Sequence, residues 1–219
     1  KEIVFGELGY AREALTSYAT FAELKASGAL PAQIRFQVSL PSPINPVALF
    51  MPDEADRRRV FPAYEAAMLR EVGQICTAIP HHQLAIQWDC CVEVFAYEGL
   101  RPLPWDDQEG GLKDYAARLG AAAPPDVEMG WHLCYGDRRH THIIEPKDLS
   151  VTVTVGNLMV AASGRPAAWL HVPAPRERHD AEYFAPLKNL AIGETELYLG
   201  LVHTTDGIDG TRQRLAAAS

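Results

Sequence analysis

The chain has 219 residues, of which 47% are hydrophobic and 22% charged, and its formal net charge is -8. This composition is ordinary for a globular protein with a substantial core. The negative charge argues against a nucleic acid or an anionic membrane surface as the partner, because both bind basic patches. The polar segment from Lys1 to Glu7 does not resemble a secretory signal, and no apolar run approaches the roughly 20 residues of a membrane span.

A short apolar strand, a polar loop and a helical segment recur along the chain. In chain order the pattern predicts a helix over residues 8–27, a strand over 34–40, a helix over 53–79, a strand over 84–88, a helix over 111–119, a strand over 127–134, a helix over 148–162, a strand over 168–172, a turn of helix over 183–190, a strand over 196–203 and a helix over 210–218. The valines at 151, 153 and 155 alternate as in a strand, but the surrounding order favours a helix there.

This alternation predicts an α/β fold with a parallel sheet, either doubly wound or closed into a barrel. Polar side chains favour the barrel, because they fall near the carboxyl ends of successive predicted strands, which meet at one mouth in a (β/α) barrel. These side chains are Gln37, Ser39, Asp89, His132, Cys134, His171 and His203.

The four cysteines, Cys76, Cys90, Cys91 and Cys134, are too few for a disulfide scaffold. They predict a reducing cytoplasm, with thiols free for metal binding or packing. Adjacent Cys90 and Cys91 point to opposite faces of a strand and are more typical of buried core thiols than of ligands.

The segment His132-Leu133-Cys134 carries the sharpest chemical signal. Its imidazole and thiol are two residues apart on a predicted strand, so they lie on the same face. Zinc takes nitrogen and sulfur ligands of this kind. The alternative is a packed cysteine beside a hydrogen-bonded histidine.

Four motifs in this order resemble the barrel of cobalamin-independent methionine synthases and of the related uroporphyrinogen decarboxylases. They are Ser39-Leu40-Pro41-Ser42-Pro43, Gln87-Trp88-Asp89-Cys90, His132-Leu133-Cys134-Tyr135 and Gly200-Leu201-Val202-His203. The resemblance extends from about Arg35 to the end of the sequence. It implies a TIM-type (β/α)8 barrel in which zinc holds a substrate thiol as thiolate for alkyl transfer.

The resemblance implies that His132 and Cys134 are zinc ligands. His171 occupies the place of the family's next ligand, a glutamate, and is either a third ligand or a hydrogen-bonding residue of the pocket. The family's last ligand is a cysteine, and no cysteine follows Cys134 here. By the family's spacing, that ligand would fall shortly beyond Ser219.

The remaining site residues are assigned from their positions at strand ends and in the loops that follow. Asp89 matches a family residue that binds the substrate amino group, and otherwise is a solvated acid. Predicted catalytic residues are Asp89, His203 and Asp206, of which Asp206 could instead cap the last helix. Predicted substrate-binding residues are Gln37, Ser39, Gln87 and Arg176. His140, His142 and Glu145 either line the mouth or belong to a solvated loop.

We therefore expect residues 1–219 to form a single barrel domain, truncated at both ends, since a full barrel needs eight strands and roughly 250 residues. Its exposed edges would be covered by more of the same polypeptide or by a homo-oligomer contact. The predicted activity is a zinc-dependent methyl or alkyl transfer to a small thiol. The alternatives are a metal-free lyase of the uroporphyrinogen decarboxylase type, acting on a carboxylated molecule, and a barrel that only stores metal or binds ligand.

Overall fold

A computed structural model describes residues 2–136 and 142–219 of the chain. The helices and strands in chain order are α1 (Tyr10–Ala26), β1 (Phe36–Pro41), α2 (Ile44–Phe50), α3 (Glu54–Ala78), β2 (Leu84–Cys90), α4 (Val92–Tyr97), α5 (Gln108–Ala121), β3 (Glu128–Leu133), α6 (Ser150–Ala162), β4 (Trp169–Pro173), α7 (Ala181–Phe184), β5 (Glu196–Gly200) and α8 (Gly207–Ala218). Short 3₁₀ turns cover His81–Gln83 and Ala185–Asn189. Within the described residues, no helix combines the length and apolarity that crossing a bilayer requires.

The five strands form one parallel sheet in the order β1-β2-β3-β4-β5. Each strand pairs with its neighbour in the sequence, so the strand order never reverses within this sheet, as it would in a doubly wound fold. Crossovers between sequential parallel strands are almost always right-handed, and a series of them in one direction places the connecting helices on one face of the sheet. The predicted α/β class and the parallel sheet are therefore confirmed.

The two faces of the sheet differ in burial. The covered face carries apolar side chains that are buried under the helices, such as Leu40, Ile86, Trp131 and Leu170. The opposite face, which we call the open face, carries polar side chains that are exposed or half-buried: Gln37, Ser39, Gln87, Asp89, His132 and His171. Alternation along each strand thus separates a packed core from a polar surface.

The predicted elements are all present, with shifted bounds. The helix predicted over 148–162 is confirmed as α6, so the alternating valines at 151, 153 and 155 lie in a helix and not in a strand. The predicted strand over 196–203 is too long, because β5 ends at Gly200. The Leu201 N–H there donates back to the Leu199 carbonyl at 2.8 Å and turns the chain, which leaves His203 in the following loop.

Candidate functional site

Strand register brings three predicted site residues side by side on the open face. Asp89 at the end of β2 pairs with His132 on β3, and His132 pairs with His171 on β4. All three side chains are half-buried. The carboxyl end of the sheet therefore presents a carboxylate and two imidazoles in one row, as the strand-end argument predicts.

A chain of hydrogen bonds holds Asp89. Its Oδ1 accepts from Gln87 Nε2 at 2.8 Å, and Gln87 Oε1 accepts from Trp169 Nε1 at 3.0 Å. Burial raises the pKa of Asp89, while the bond from Gln87 opposes that shift. The amide of Gln87 also lies 3.4 Å from Ser39 Oγ, which accepts from Gln37 Nε2 at 3.0 Å. The predicted substrate-binding side chains of β1 and β2 thus form one polar surface leading to Asp89.

The Cys134 thiol lies just beyond β3, two residues after His132, and is half-buried. The neighbouring Cys91 thiol holds the pKa of Cys134 well below its ordinary value. Burial opposes this shift, and the neighbouring His132 reinforces it. The neighbouring Cys134 raises the pKa of Cys91. Of the two thiols, Cys134 is therefore the more readily ionised.

The surroundings shift the pKa values of His132 and His171 in opposite directions. Burial, together with the nearby charge of His132, lowers the pKa of His171 to about 4, so His171 is neutral at pH 7. Burial alone would lower the pKa of His132 as well, but Cys134 and Asp89 outweigh it and the pKa is raised. The surroundings of His132 therefore favour its protonation, whereas those of His171 oppose it.

The residues present fit zinc only in part. His132 and Cys134 are the nitrogen and sulfur donors that zinc takes, and the buried Nδ1 of His132 has no hydrogen-bond partner in the described residues. The rings of His132 and His171, however, stack with centroids 4.6 Å apart and planes 27° apart, so their in-plane lone pairs do not converge. Across 2–136 and 142–219, no three His, Cys, Asp or Glu side chains form a metal-binding group. The third ligand, His171, stays a prediction.

Three other predicted site residues are held within the loops after β4 and β5. His203 Nε2 lies 2.8 Å from the Ala174 carbonyl oxygen. Asp206 forms an ion pair with buried Arg214 at 2.6 Å. Arg176 Nε donates to Glu177 at 2.7 Å. Existing partners therefore occupy the charged groups of Asp206 and Arg176.

The segment that follows Cys134 contains the remaining predicted mouth residues. His140 lies outside the described residues. His142 packs edge-to-face on Tyr135, with ring centroids 5.5 Å apart, and its Nδ1 lies 3.5 Å from Glu145 Oε1. The His142–Glu145 pair therefore belongs to the loop above Tyr135.

Sequence reasoning missed two residues that shape the site, Cys91 and Asn45. Cys91 is the N-cap of α4, where its Sγ donates to Asn45 Oδ1 at 3.5 Å, and its position shortly after a predicted strand was the available signal. Asn45, on α2, donates to the Asp89 carbonyl oxygen at 2.6 Å and accepts from Val92 N at 3.0 Å. No sequence pattern indicates that contact, because it depends on how α2 packs at the sheet's end.

Comparisons of the chain with protein-family models, with curated proteins and with solved structures found no match. No relative therefore assigns a role to any residue, and the geometry of the open face is the basis for a function.

Proposed function

We propose that the chain forms the greater part of a TIM-type (β/α) barrel, with the open face as the inner wall. The sequential parallel order and the single helix-covered face support this proposal, because both are required of barrel strands. In such barrels the active site lies at the carboxyl ends of the strands. Asp89, His132 and His171 have that position here.

The function we propose is transfer of a methyl or alkyl group to a small thiol substrate, as in the cobalamin-independent methionine synthases that the sequence resembles. The observation that carries it is the placement of a half-buried imidazole and a half-buried thiol, His132 and Cys134, at the end of β3, with Asp89 beside His132 in the register. A thiolate beside an imidazole provides two zinc ligands, and further ligands have to come from elsewhere in the protein or from the substrate. Bound zinc would lower the pKa of the substrate thiol and so supply a nucleophile at neutral pH.

The chain's own side chains would bind and orient that substrate. Asp89, held by Gln87, presents a carboxylate oxygen to a cationic group such as an amine. Neutral His171 can accept a hydrogen bond at a ring nitrogen from a thiol that enters beside Cys134. Gln37 and Ser39 extend the polar surface toward the edge of the sheet. Asp206, which the sequence predicted to be catalytic, has a positioning role in this proposal because it holds Arg214.

Metal analysis of the full-length protein, purified without chelator, tests the proposal. We expect stoichiometric zinc, loss of that zinc in His132→Ala and Cys134→Ser, and retention in His82→Ala, whose side chain is exposed and remote from the strand ends. Substitution by cobalt(II) should give a thiolate-to-metal charge-transfer band that requires Cys134 and grows when cysteine is added as a probe thiol.

A different result would favour the metal-free alternative. Protein without zinc, in which Cys134→Ser leaves cobalt binding unchanged, would overturn the thiol-transfer proposal. The uroporphyrinogen decarboxylase type of lyase would then be the better account, and its substrate would be sought among carboxylated small molecules.

A further inference from the structure

Two partly exposed cysteines lie opposite each other at the ends of neighbouring strands. The register of β2 and β3 pairs Cys90 with Leu133. The next residue continues it, because the Cys134 N–H donates to the Cys90 carbonyl oxygen at 3.1 Å. Cys91 and Cys134 therefore each follow the last paired residue of neighbouring strands, and both thiols are partly exposed.

Their separation suits a covalent bond between the two sulfurs. Neighbouring strands lie about 4.8 Å apart, and the Cα atoms of a disulfide are usually about 4.4–6.8 Å apart. Cys91 is further positioned by Asn45, whose Oδ1 accepts from its Sγ at 3.5 Å. A disulfide here needs rotation of two side chains and little movement of the backbone.

The other two cysteines lie in different surroundings. Cys76 and Cys90 are buried, whereas Cys91 and Cys134 are partly exposed. The Cys90 thiol lies on the covered face and is directed to the Trp88 carbonyl oxygen at 3.7 Å. A small oxidant in solution can therefore reach the Cys91–Cys134 pair more readily than the buried thiols.

We propose that Cys91 and Cys134 form a reversible disulfide when the protein meets hydrogen peroxide. The Cys134 thiolate attacks one peroxide oxygen, the O–O bond breaks, and hydroxide leaves and is protonated to water. This gives a sulfenic acid at Cys134. The Cys91 thiol then attacks that sulfur, the S–S bond forms, and the sulfenic oxygen leaves as a second water with the thiol proton. Two thiols are oxidised, and one peroxide is reduced to two waters.

The disulfide would control the site. It removes the Cys134 thiolate from metal binding, so the protein would lose zinc on oxidation and recover it after reduction by a dithiol. This regulatory consequence rests on the proposed function, whereas formation of the disulfide does not.

The experiment is peptide mapping of the full-length protein without reduction, after treatment with hydrogen peroxide and blocking of free thiols with iodoacetamide. In both zinc-free and zinc-loaded samples we measure the fraction of Cys91 linked to Cys134 by mass spectrometry. We expect this linkage to be the dominant product in the zinc-free sample, with slower formation in the zinc-loaded one. Dithiothreitol should return both thiols.

Variants show which thiols take part. Cys91→Ser and Cys134→Ser should each abolish the linkage, and Cys76→Ser should leave it unchanged. In Cys91→Ser, Cys134 should instead proceed to sulfinic acid, because no partner traps its sulfenic form. Zinc-free wild-type protein in which Cys134 becomes sulfinic while Cys91 stays free, or in which the linkage joins two chains, would overturn the proposal. If the disulfide forms in a protein that binds no zinc, the disulfide stands and the proposed function fails.

Discussion

The carboxylate of Asp206 accepts two hydrogen bonds from the guanidinium of Arg214, with oxygen–nitrogen distances of 2.6 and 2.9 Å. Arg214 is completely buried, and it also donates to the carbonyl oxygens of Leu201 and Arg176, both at 2.7 Å. One side chain on α8 therefore ties the loops after β4 and β5 together. Asp206 balances the charge of that side chain and does not use its carboxylate to cap α8.

Arg214→Ala should destabilise the protein strongly. The change removes four hydrogen bonds, opens a cavity and leaves the loops after β4 and β5 without their common partner. We expect the free energy of unfolding to fall by about 3 kcal/mol, as for other broken buried ion pairs. Urea denaturation followed by circular dichroism measures it.

The matched control is Arg212→Ala, two residues earlier on α8. Arg212 is 77% exposed, and its nitrogen lies 3.7 Å from Asp209. An exposed pair of this kind contributes little, so we expect a change of less than about 0.5 kcal/mol. Equal urea midpoints for the two variants would show that Arg214 does not hold the loops.

Glu71→Gln should loosen the N-terminus of α1. The Glu71 carboxylate, on α3, accepts from the backbone N–H groups of Leu8 at 2.6 Å, Gly9 at 3.3 Å and Ala11 at 2.7 Å. Hydrogen bonds to a buried charged group are stronger than neutral ones. We expect the variant to lose about 1–2 kcal/mol of unfolding free energy at pH 7.

This loss should depend on pH. Burial alone would raise the pKa of Glu71, but the bonds from Ala11, Leu8 and Gly9 outweigh it and the pKa is lowered. A carboxyl group whose pKa is lower in the folded state stabilises the protein above its unfolded pKa, about 4.3. That stabilisation disappears as the pH falls from there through the folded pKa. Urea midpoints of wild type and Glu71→Gln should therefore converge in acid.

A control for that pH dependence is Glu23→Gln, an exposed position on the same helix, α1. Its midpoint should follow that of the wild type across the pH series. A constant difference between wild type and Glu71→Gln down to acid would instead indicate altered packing, with no contribution from charge.

The fold was largely predictable because hydrophobic periodicity is local. Strands β1 to β5 and the long helices α1, α3, α5 and α6 follow from it. The short helices α2 and α4 were missed. Both are held by contacts with distant parts of the chain, such as the 3.2 Å bond from the Ile44 N–H to the Tyr115 hydroxyl oxygen. Propensity within a six- or seven-residue segment does not encode such a contact.

The site was predictable only where strand alternation determines position. Asp89, His132 and His171 follow from it, and the structure places them in one row. The partners of His203 and Arg176 could not be predicted, since they depend on the paths of two loops. Cys91 was assigned to the core from residue type, and it does pack against the core while its thiol stays partly exposed.

Gly73→Ala should stabilise the protein. Gly73 is an exposed position inside α3, and an added Cβ there meets no atom within 4 Å. Alanine loses less backbone entropy than glycine on entering a helix, so we expect a gain of about 0.5–1 kcal/mol. The melting temperature by differential scanning calorimetry should rise.

Gly120→Ala, in α5, is the opposing case for the same substitution. A Cβ at Gly120 would meet the backbone carbonyl of Ser163, beyond the end of α6. The two helices would have to separate, so the melting temperature should fall despite the better helix propensity. A rise in both variants would mean that the α5–α6 contact is looser than the structure shows.

The last prediction concerns the reactivity of Cys134 in protein from which metal has been removed by chelation. The neighbouring Cys91 thiol and His132 imidazole lower the pKa of Cys134, with burial opposing both. Alkylation by iodoacetamide should therefore reach half its maximal rate well below pH 8.5, about the ordinary value for a thiol. His132→Ala should move that midpoint upward, whereas His82→Ala should leave it unchanged. Mass spectrometry of the Cys134 peptide across a pH series measures the rate, and a wild-type midpoint at or above the ordinary value would contradict the thiolate assignment.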